Sequence, residues 1–392
     1  MENFSYYNPV KVIFGNGTLR EIGREAAAIG KKALLVSYKD ISFLKNTITD
    51  IQDLLRAEGV EFVECFQATA NPTLAEARIG INLCKENTVD LVIGVGGGSA
   101  MDCAKLIAAG VYYPLPLEKM IAFSHSDDSQ VPPQKALPMI LVPTLAGTGS
   151  EMNSTAVVTD EKSKKKSYVW APECLYAKTA IIDPALTVTL PKYQTACGAI
   201  DIVAHVLEGY FNGTSQNLDL QDAMMAGVIK TVLKNMNTVL GQPADLQARG
   251  VLQWCAAIAL NGWVLSGTYT WAPMHQMGHA ISAFSNATHG ASLAVMMIAW
   301  MKFFENRPDN MRYEKFAEDI YRLPLKEATV KFEALCADAG IETRIGQFGI
   351  KEEDIPELVN QVVSISFSAD GTLHSNPPLS RDDIEAIYRI AL

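Results

Sequence analysis

The sequence feature that most constrains the fold is a pair of motifs in which Asp or His side chains stand four residues apart. Asp201 and His205 lie in an apolar run, residues 199–208, which contains no Pro or Gly and is predicted to form a buried helix. His275 and His279 follow Pro273, and Pro is well tolerated at an early helical position. Residues four apart project from one face of a helix. The chain is therefore expected to contain two helices that each present such a pair.

These residue types indicate a metal site. Four of the six histidines lie between residues 201 and 289, and His289 follows the second pair closely. A single His on an apolar helix is usually a core residue, but two pairs and a further His favour a shared ligand. One carboxylate with two or three imidazoles suits Fe(II), Zn or Mn.

The two halves of the chain have different patterns. Short apolar, β-rich runs alternate with helical patterns as far as residue 183, which predicts a parallel sheet covered by helices on both faces. After the Pro-containing segment 184–191 the patterns are almost all helical. We therefore predict an α/β dinucleotide-binding domain, residues 1–190, and an all-helical metal-binding domain, residues 191–392.

Two glycine-rich segments follow predicted strands. Gly96-Gly97-Gly98-Ser99 joins a strand to a helix, where backbone N–H groups and the helix N-terminus favour an anion. It is not the GxGxxG fingerprint of an ordinary Rossmann domain. A second cluster, residues 143–151, follows another strand. Two such loops suit an extended dinucleotide better than a lone phosphate.

The composition excludes several partners. A formal net charge of −10 argues against nucleic acid and anionic membranes, which require a basic surface. The longest apolar run, residues 291–301, is far shorter than the ~20 residues that span a bilayer. The first residues lack the pattern of a signal peptide, and the seven scattered cysteines suggest free thiols. A cytoplasmic protein is expected.

Together these motifs resemble the iron-containing (group III) alcohol dehydrogenases over essentially the whole chain, most closely the butanol dehydrogenase and NADPH-dependent aldehyde reductase branch. The resemblance implies a dehydroquinate synthase-like architecture and metal ligands at Asp201, His205, His275 and His289. It places His279 beside the nicotinamide and substrate, as the plausible proton relay, with Asp201 and His205 also in the catalytic centre. It implies nucleotide contacts from a further set of residues: Asn71, Gly97, Gly98, Ser99, Asp102, Thr144, Thr148 and Lys166.

The resemblance also implies an activity. Members of this branch reduce aldehydes to primary alcohols, so we expect hydride transfer between NAD(P)H and a short- to medium-chain alcohol or aldehyde. The expected metal is Fe²⁺, with Zn²⁺ as the alternative. A homo-oligomer is expected, with a dimer favoured.

The choice between NADP and NAD depends on the turn after a predicted strand, Tyr38-Lys39-Asp40. NADP-using relatives carry a glycine-rich turn here, whereas NAD-specific ones place an acid near position 38 to hold the ribose hydroxyls. Lys39 would attract a 2′-phosphate and Asp40 would repel it. The sequence favours NADP, with NAD as the alternative.

Two alternatives remain open. Glycerol dehydrogenases and dehydroquinate synthases share the architecture, but an Asp with three His fits the alcohol dehydrogenases better. A non-catalytic nucleotide- or metal-binding protein is the second alternative, and the presence of both loops, all four ligand types and His279 argues against it.

Overall fold

The computed structural model describes residues 2–122, 130–162, 165–213, 218–268 and 272–392. Its strands form a six-stranded parallel sheet and a two-stranded antiparallel hairpin. The strands are β1 (Lys11–Phe14), β2 (Lys32–Tyr38), β3 (Glu61–Ala68), β4 (Leu91–Gly96), β5 (Met139–Pro143), β6 (Thr155–Asp160), β7 (Lys165–Trp170) and β8 (Thr179–Ile182).

The first four helices accompany the sheet: α1 (Ile22–Ala27), α2 (Lys45–Ala57), α3 (Leu74–Asn87) and α4 (Gly98–Gly110). The remaining helices follow it: α5 (Lys192–Asn212), α6 (Asp219–Gly241), α7 (Leu246–Ala259), α8 (Pro273–Ser285), α9 (His289–Phe304), α10 (Met311–Tyr321), α11 (Leu325–Asp338), α12 (Ile355–Ser366) and α13 (Arg381–Ala391). Among the described residues every strand of the two sheets precedes Pro184, which agrees with the predicted change of pattern.

The parallel sheet has the strand order β1-β8-β5-β4-β2-β3. The chain runs from β2 outward to β3 and then returns to place β4 on the other side of β2. Such a switch point opens a crevice beyond the carboxyl ends of the strands. The turn after β2 and the glycine-rich turn after β4 therefore flank one crevice.

Alternate side chains of the central strands pack against helices on opposite faces of the sheet. Leu35 of β2 joins Ile51 of α2 in one core cluster, whereas Leu34 joins Ile107 of α4 in another. This two-sided burial explains why the central strands read as unbroken apolar runs rather than as alternating ones.

Helix α5 is the centre of the helical half. It is buried from Thr195 to Asn212 and packs against α6, α7, α8, α9 and α10. Helix α9 is nearly as deeply buried, and its apolar run is long because neighbours cover it on all sides. No helix in the described parts of the chain is long and apolar enough to cross a membrane.

Two local features differ from the sequence prediction. The hairpin β6–β7 was not predicted, although Thr155–Asp160 and Lys165–Trp170 are rich in β-forming residues. Helix α7 was predicted to continue to residue 266 but ends at Ala259. The chain turns at Asn261, whose side-chain oxygen accepts a hydrogen bond from the Trp263 N–H at 2.8 Å.

Candidate active site

A cleft of about 1710 Å³ lies between the carboxyl edge of the parallel sheet and the helices that follow it. Both halves of the molecule contribute to its lining. The sequence candidates on the sheet side all line it: Tyr38, Lys39, Asp40, Asn71, Gly97, Gly98, Ser99, Asp102, Thr144, Thr148 and Lys166. So do the candidates on the helical side: Asp201, His205, His275, His279 and His289.

The glycine-rich turn after β4 presents the N-terminus of α4 to this cleft. Gly97 is the N-cap of the helix and no side chain caps it, so first-turn N–H groups remain available to an anion. The Gly97 N–H itself donates to the Tyr38 hydroxyl at 2.9 Å. A Cβ at Gly98 would come within 2.4 Å of Thr148 Cγ2, so the two glycine-rich loops touch here.

Four polar candidates on the sheet side, Asn71, Ser99, Asp102 and Lys166, already have partners. Ser99 Oγ donates to the Ala70 carbonyl at 2.6 Å, and Lys166 Nζ donates to Asn71 Oδ1 at 2.9 Å. Asp102 is buried and accepts from Ser150 Oγ at 2.6 Å and from the Val157 N–H at 2.9 Å. This half of the cleft is therefore held in shape by its own hydrogen bonds.

The helical half gathers the Asp and His residues around one point. Asp201 Oδ1 lies 3.7 Å from His205 Nδ1, 3.7 Å from His275 Nε2 and 3.6 Å from His289 Nε2. Ligand atoms of Asp201, His205 and His275 all lie within 4.8 Å of one another. Ligands held at ~2.1 Å around a tetrahedral ion are about 3.4 Å apart. The separations of 3.6 and 3.7 Å from Asp201 Oδ1 are therefore close to the distance between neighbouring ligand atoms around one metal ion.

Three of these atoms have no hydrogen-bond partner among the described residues. Asp201 Oδ1, His205 Nδ1 and His275 Nε2 are buried and unpaired. Leaving a buried polar atom unpaired costs roughly 1–3 kcal/mol, so three in one place indicate a missing partner. A divalent cation would satisfy all of them, and the donor set fits Fe²⁺ or Zn²⁺.

The electrostatics of the cluster also favour a cation. Burial alone would raise the pKa of Asp201, but His205, His289 and His275 hold it well below its usual range. Burial lowers the pKa of His205 to about 4 despite Asp201. Near neutral pH the cluster therefore offers a carboxylate and a neutral imidazole, the forms that bind metal.

Glu208, one turn after His205, fixes the orientation of His275. Its Oε1 lies 3.1 Å from His275 Nδ1 and accepts from the His275 backbone N–H at 2.8 Å. Burial of His275 opposes protonation, yet Asp201 and Glu208 raise its pKa to about 9. Without an ion His275 therefore carries a proton on both nitrogens at neutral pH, Nδ1–H towards Glu208 and Nε2–H towards Asp201, and a bound cation would displace the Nε2 proton. Glu208 is the last residue of the apolar run 199–208, but its contact with His275 is seen only in the structure.

His279 is next to the cluster. Its ring centroid lies 5.2 Å from that of His289 and 6.3 Å from that of His275. Burial, with the nearby Lys166 and the other imidazoles, lowers the pKa of His279 well below the usual value. It is therefore a neutral imidazole in the cleft, and its Nδ1 is buried without a hydrogen-bond partner among the described residues.

Sequence reasoning missed the aromatic part of the lining. Tyr168 and Trp170 of β7, Tyr176 and the N-terminal residues Phe4 to Tyr7 also line the cleft. The alternation of Lys166, Tyr168 and Trp170 on one strand was the available signal, and it was overlooked with the hairpin.

Comparison with known proteins agrees with this arrangement. The profile of the iron-containing alcohol dehydrogenase family matches residues 9–184, and the profile of that family's C-terminal part matches residues 195–392. A probable NADH-dependent butanol dehydrogenase 2 of Bacillus subtilis is 35% identical over 402 residues, covering 100% of both chains. An NADPH-dependent aldehyde reductase of Escherichia coli is 26% identical and also covers 100% of both chains.

A solved structure shares the fold. The crystal structure of an NADH-dependent butanol dehydrogenase A from Thermotoga maritima superposes with a TM-score of 0.92 at 34% sequence identity. The match covers 100% of this chain and 99% of that one. The sheet, the helical half and their relative placement are thus those of the family.

Proposed function

The chain belongs to the iron-containing alcohol dehydrogenase family, and we propose that its cleft transfers a hydride between NAD(P)H and a short- to medium-chain primary alcohol or aldehyde. The observation that carries the proposal is the meeting of two different sites in one cleft. An anion-binding helix N-terminus approaches from the sheet, and a cluster of unpaired Asp and His atoms approaches from the helices.

In this proposal Asp201, His205, His275 and His289 hold one divalent ion, Fe²⁺ or alternatively Zn²⁺. When bound, such an ion supplies Lewis-acid chemistry that polarises the substrate oxygen. Glu208 holds His275 in the tautomer that the site requires. His279 accepts or returns the proton of the substrate hydroxyl, either directly or through water.

The nucleotide is assigned to the sheet side of the cleft. Its pyrophosphate would lie at the N-terminus of α4, against Gly97, Gly98 and Ser99. The helical side would then face the nicotinamide across the cleft. The coenzyme is NADP in this proposal, as the sequence favours, with NAD as the alternative.

A direct assay tests the function. Protein reconstituted with Fe²⁺ or Zn²⁺ is mixed with butanal and NADPH or NADH, and the loss of reduced nicotinamide absorbance is followed. Metal-dependent oxidation of the coenzyme with formation of butanol is expected. Stoichiometric metal and nucleotide binding without turnover on any aldehyde would instead support a binding protein.

We further propose domain limits of 1–190 and 191–392. The segment between Ile182 and Lys192 carries the chain from the last strand to the first long helix. Because both sides line the cleft, residues 1–190 expressed alone are expected to lack activity. Aldehyde reduction by that fragment would contradict the proposed placement of the site.

A homodimer is proposed through the β1 edge of the parallel sheet. Phe14 at the end of β1 is 45% exposed and lies 5.8 Å from the ring of Trp254, which is 42% exposed. An edge strand beside exposed aromatic rings is suited to pairing with a second copy. Light scattering should give twice the chain mass, and Phe14→Glu should reduce it to one chain.

A cytoplasmic location is also proposed. All seven cysteines are free thiols, and six of them are buried. Unpaired cysteines are typical of a reducing compartment. Cell fractionation with a fluorescent fusion would test this location.

A further inference from the structure

The N-terminal arm, defined here as Phe4–Tyr7, forms part of the cleft wall although it belongs to no strand or helix. Hydrogen bonds of the flanking residues hold it in place at both ends. The Glu2 N–H donates to the Gly267 carbonyl at 2.9 Å. At the other end, Asn8 Nδ2 donates to the Met152 carbonyl at 2.8 Å and lies 3.3 Å from the Asn261 carbonyl. The arm is thus held against the loop that follows α7.

A ring contact fixes the middle of the arm to the same loop. Tyr6 packs edge-on against Trp263, with centroids 5.1 Å apart. The loop in turn lies against α5 next to the metal cluster. A Cβ at Gly209 would come within 2.3 Å of Leu265 Cδ2, and Gly209 is one turn beyond His205. The arm is therefore linked through one loop to the helix that carries Asp201.

Three side chains of β7 also line the cleft. Lys166, Tyr168 and Trp170 alternate along β7, so they share one face of the strand. Lys166 is buried, Tyr168 is partly exposed and Trp170 is 57% exposed, and all three line the cleft. These side chains therefore become more exposed from Lys166 to Trp170, and we call the end of the cleft formed by Trp170, Tyr176 and the arm its opening. Near this end the Ala171 N–H donates to the Ser154 carbonyl at 3.1 Å, and Ser154 is two residues from Met152, the anchor of the arm.

The opening has no charged lining residue among those the structure describes. The charged groups of the cleft are Lys39, Asp40, Asp102, Lys166 and Asp201, and each belongs to the coenzyme side or the metal cluster. The lining residues at the opening are aromatic, apolar or uncharged polar: Phe4, Ser5, Tyr6, Tyr7, Tyr168, Trp170, Tyr176, Leu265 and Ser266. A carboxylate at the end of a substrate would meet hydroxyl groups there but no cationic side chain to neutralise it.

We propose that this opening binds the substrate tail, that it selects uncharged aldehydes with an aromatic ring or a long alkyl chain, and that Tyr6 is a specificity-determining residue. The proposal rests on the aldehyde reductase function proposed above. A short substrate such as butanal would sit at the metal cluster without reaching Tyr6. A ring such as that of phenylacetaldehyde would extend to the arm and pack against Tyr6, Tyr176 and Trp170.

The test compares kcat/KM of the metal-loaded full chain for butanal, phenylacetaldehyde and the carboxylate-bearing succinic semialdehyde. The wild type should prefer phenylacetaldehyde to succinic semialdehyde. Tyr6→Ala should lower kcat/KM for phenylacetaldehyde roughly three- to tenfold through KM, the size of one lost aromatic contact. Its kcat/KM for butanal should stay within about twofold, and Tyr6→Phe should behave as the wild type.

Tyr112→Ala is the matched control, because Tyr112 is a 44% exposed ring that does not line the cleft. If Tyr6→Ala does not fold, Trp170→Ala removes another ring of the opening and should show the same selective loss. Equal losses for butanal and phenylacetaldehyde, or no loss for either, would overturn the proposal. So would a change of oligomeric state in Tyr6→Ala with unchanged preference, which would mean that a second copy covers the arm. A wild type that reduces no aldehyde would instead refute the proposed function itself.

Discussion

The two sides of the cleft differ in how completely their polar groups are paired. On the sheet side, Asp102, Ser99 and Lys166 all have hydrogen-bond partners within the protein. On the helical side, Asp201 and His275 each keep a buried atom without one. From this difference we propose that the coenzyme site forms on folding alone, whereas the metal site is complete only with its ion.

Removing a metal ligand gives the largest expected effect and tests this difference directly. Asp201→Ala should lose the bound metal. Because the Lewis-acid stabilisation that the ion supplies is worth several kcal/mol, turnover should fall on the order of 10³-fold. NADPH binding, measured by fluorescence or calorimetry, should persist because the sheet side is independent. His279→Ala is the control and should retain metal while kcat falls.

Either of two results would contradict this account of the two sides. Stoichiometric metal in His289→Ala, or loss of metal in His279→Ala alone, would mean that the ion is held by a different set of histidines. Loss of NADPH binding together with metal in Asp201→Ala would mean that the two sides do not form independently.

A smaller effect is expected where the two sides touch. A Cβ at Gly198, in α5 three residues before Asp201, would lie 2.1 Å from the Ala146 carbonyl oxygen in the second glycine-rich loop. Gly198→Ala must therefore push the helix and the loop apart, and a shift of about 1 Å can cost on the order of 10²-fold in rate. Gly227→Ala in α6 meets no atom within 4 Å and should leave kcat/KM unchanged.

The sequence predicted the features that depend on local patterns, but not the contacts between residues far apart in the chain. The strands and helices of the sheet half followed from apolar runs such as residues 91–95, because burial on both faces leaves a simple pattern. The pairs on α5 and α8 followed from helical spacing. The hydrogen bond of Glu208 to His275 joins residues 67 apart, and the arm at Tyr6 contacts Trp263. No local spacing encodes such long-range contacts.

Glu208→Gln should have an intermediate effect, on metal affinity, and it tests the role of Glu208 on the helical side. The substitution keeps the shape but removes the charge that makes His275 a stronger ligand, so metal affinity should fall roughly tenfold or more. Metal competition titration measures this. Asp222→Asn is the matched control: Asp222 is a buried acid paired with Arg312, so its loss should lower stability without weakening metal binding. Equal metal affinity in wild type and Glu208→Gln would refute the role given to Glu208.

The smallest effect is expected at the exposed end of the sheet side, where Lys39 and Asp40 follow β2. Asp40 Oδ1 accepts from the Ser42 N–H at 2.9 Å, which lowers the pKa of Asp40, so it is ionised at neutral pH. Lys39→Ala should lower kcat/KM for NADPH roughly two- to fivefold, the size of an exposed charge contact, and leave NADH unaffected. Asp40→Gly should raise kcat/KM for NADPH by a similar factor.

Both effects should shrink as salt is added, because exposed charges are screened at distances of about 10 Å at 0.1 M. The ratio of kcat/KM for NADPH and NADH in the wild type decides which charge dominates. A ratio above one agrees with Lys39 attracting the 2′-phosphate. A ratio below one would mean that the prediction of NADP is wrong and that Asp40 holds the ribose hydroxyls, in which case Asp40→Gly should shift the preference towards NADPH. In neither case should metal content change, since Lys39 and Asp40 lie on the side of the cleft that is complete without the ion.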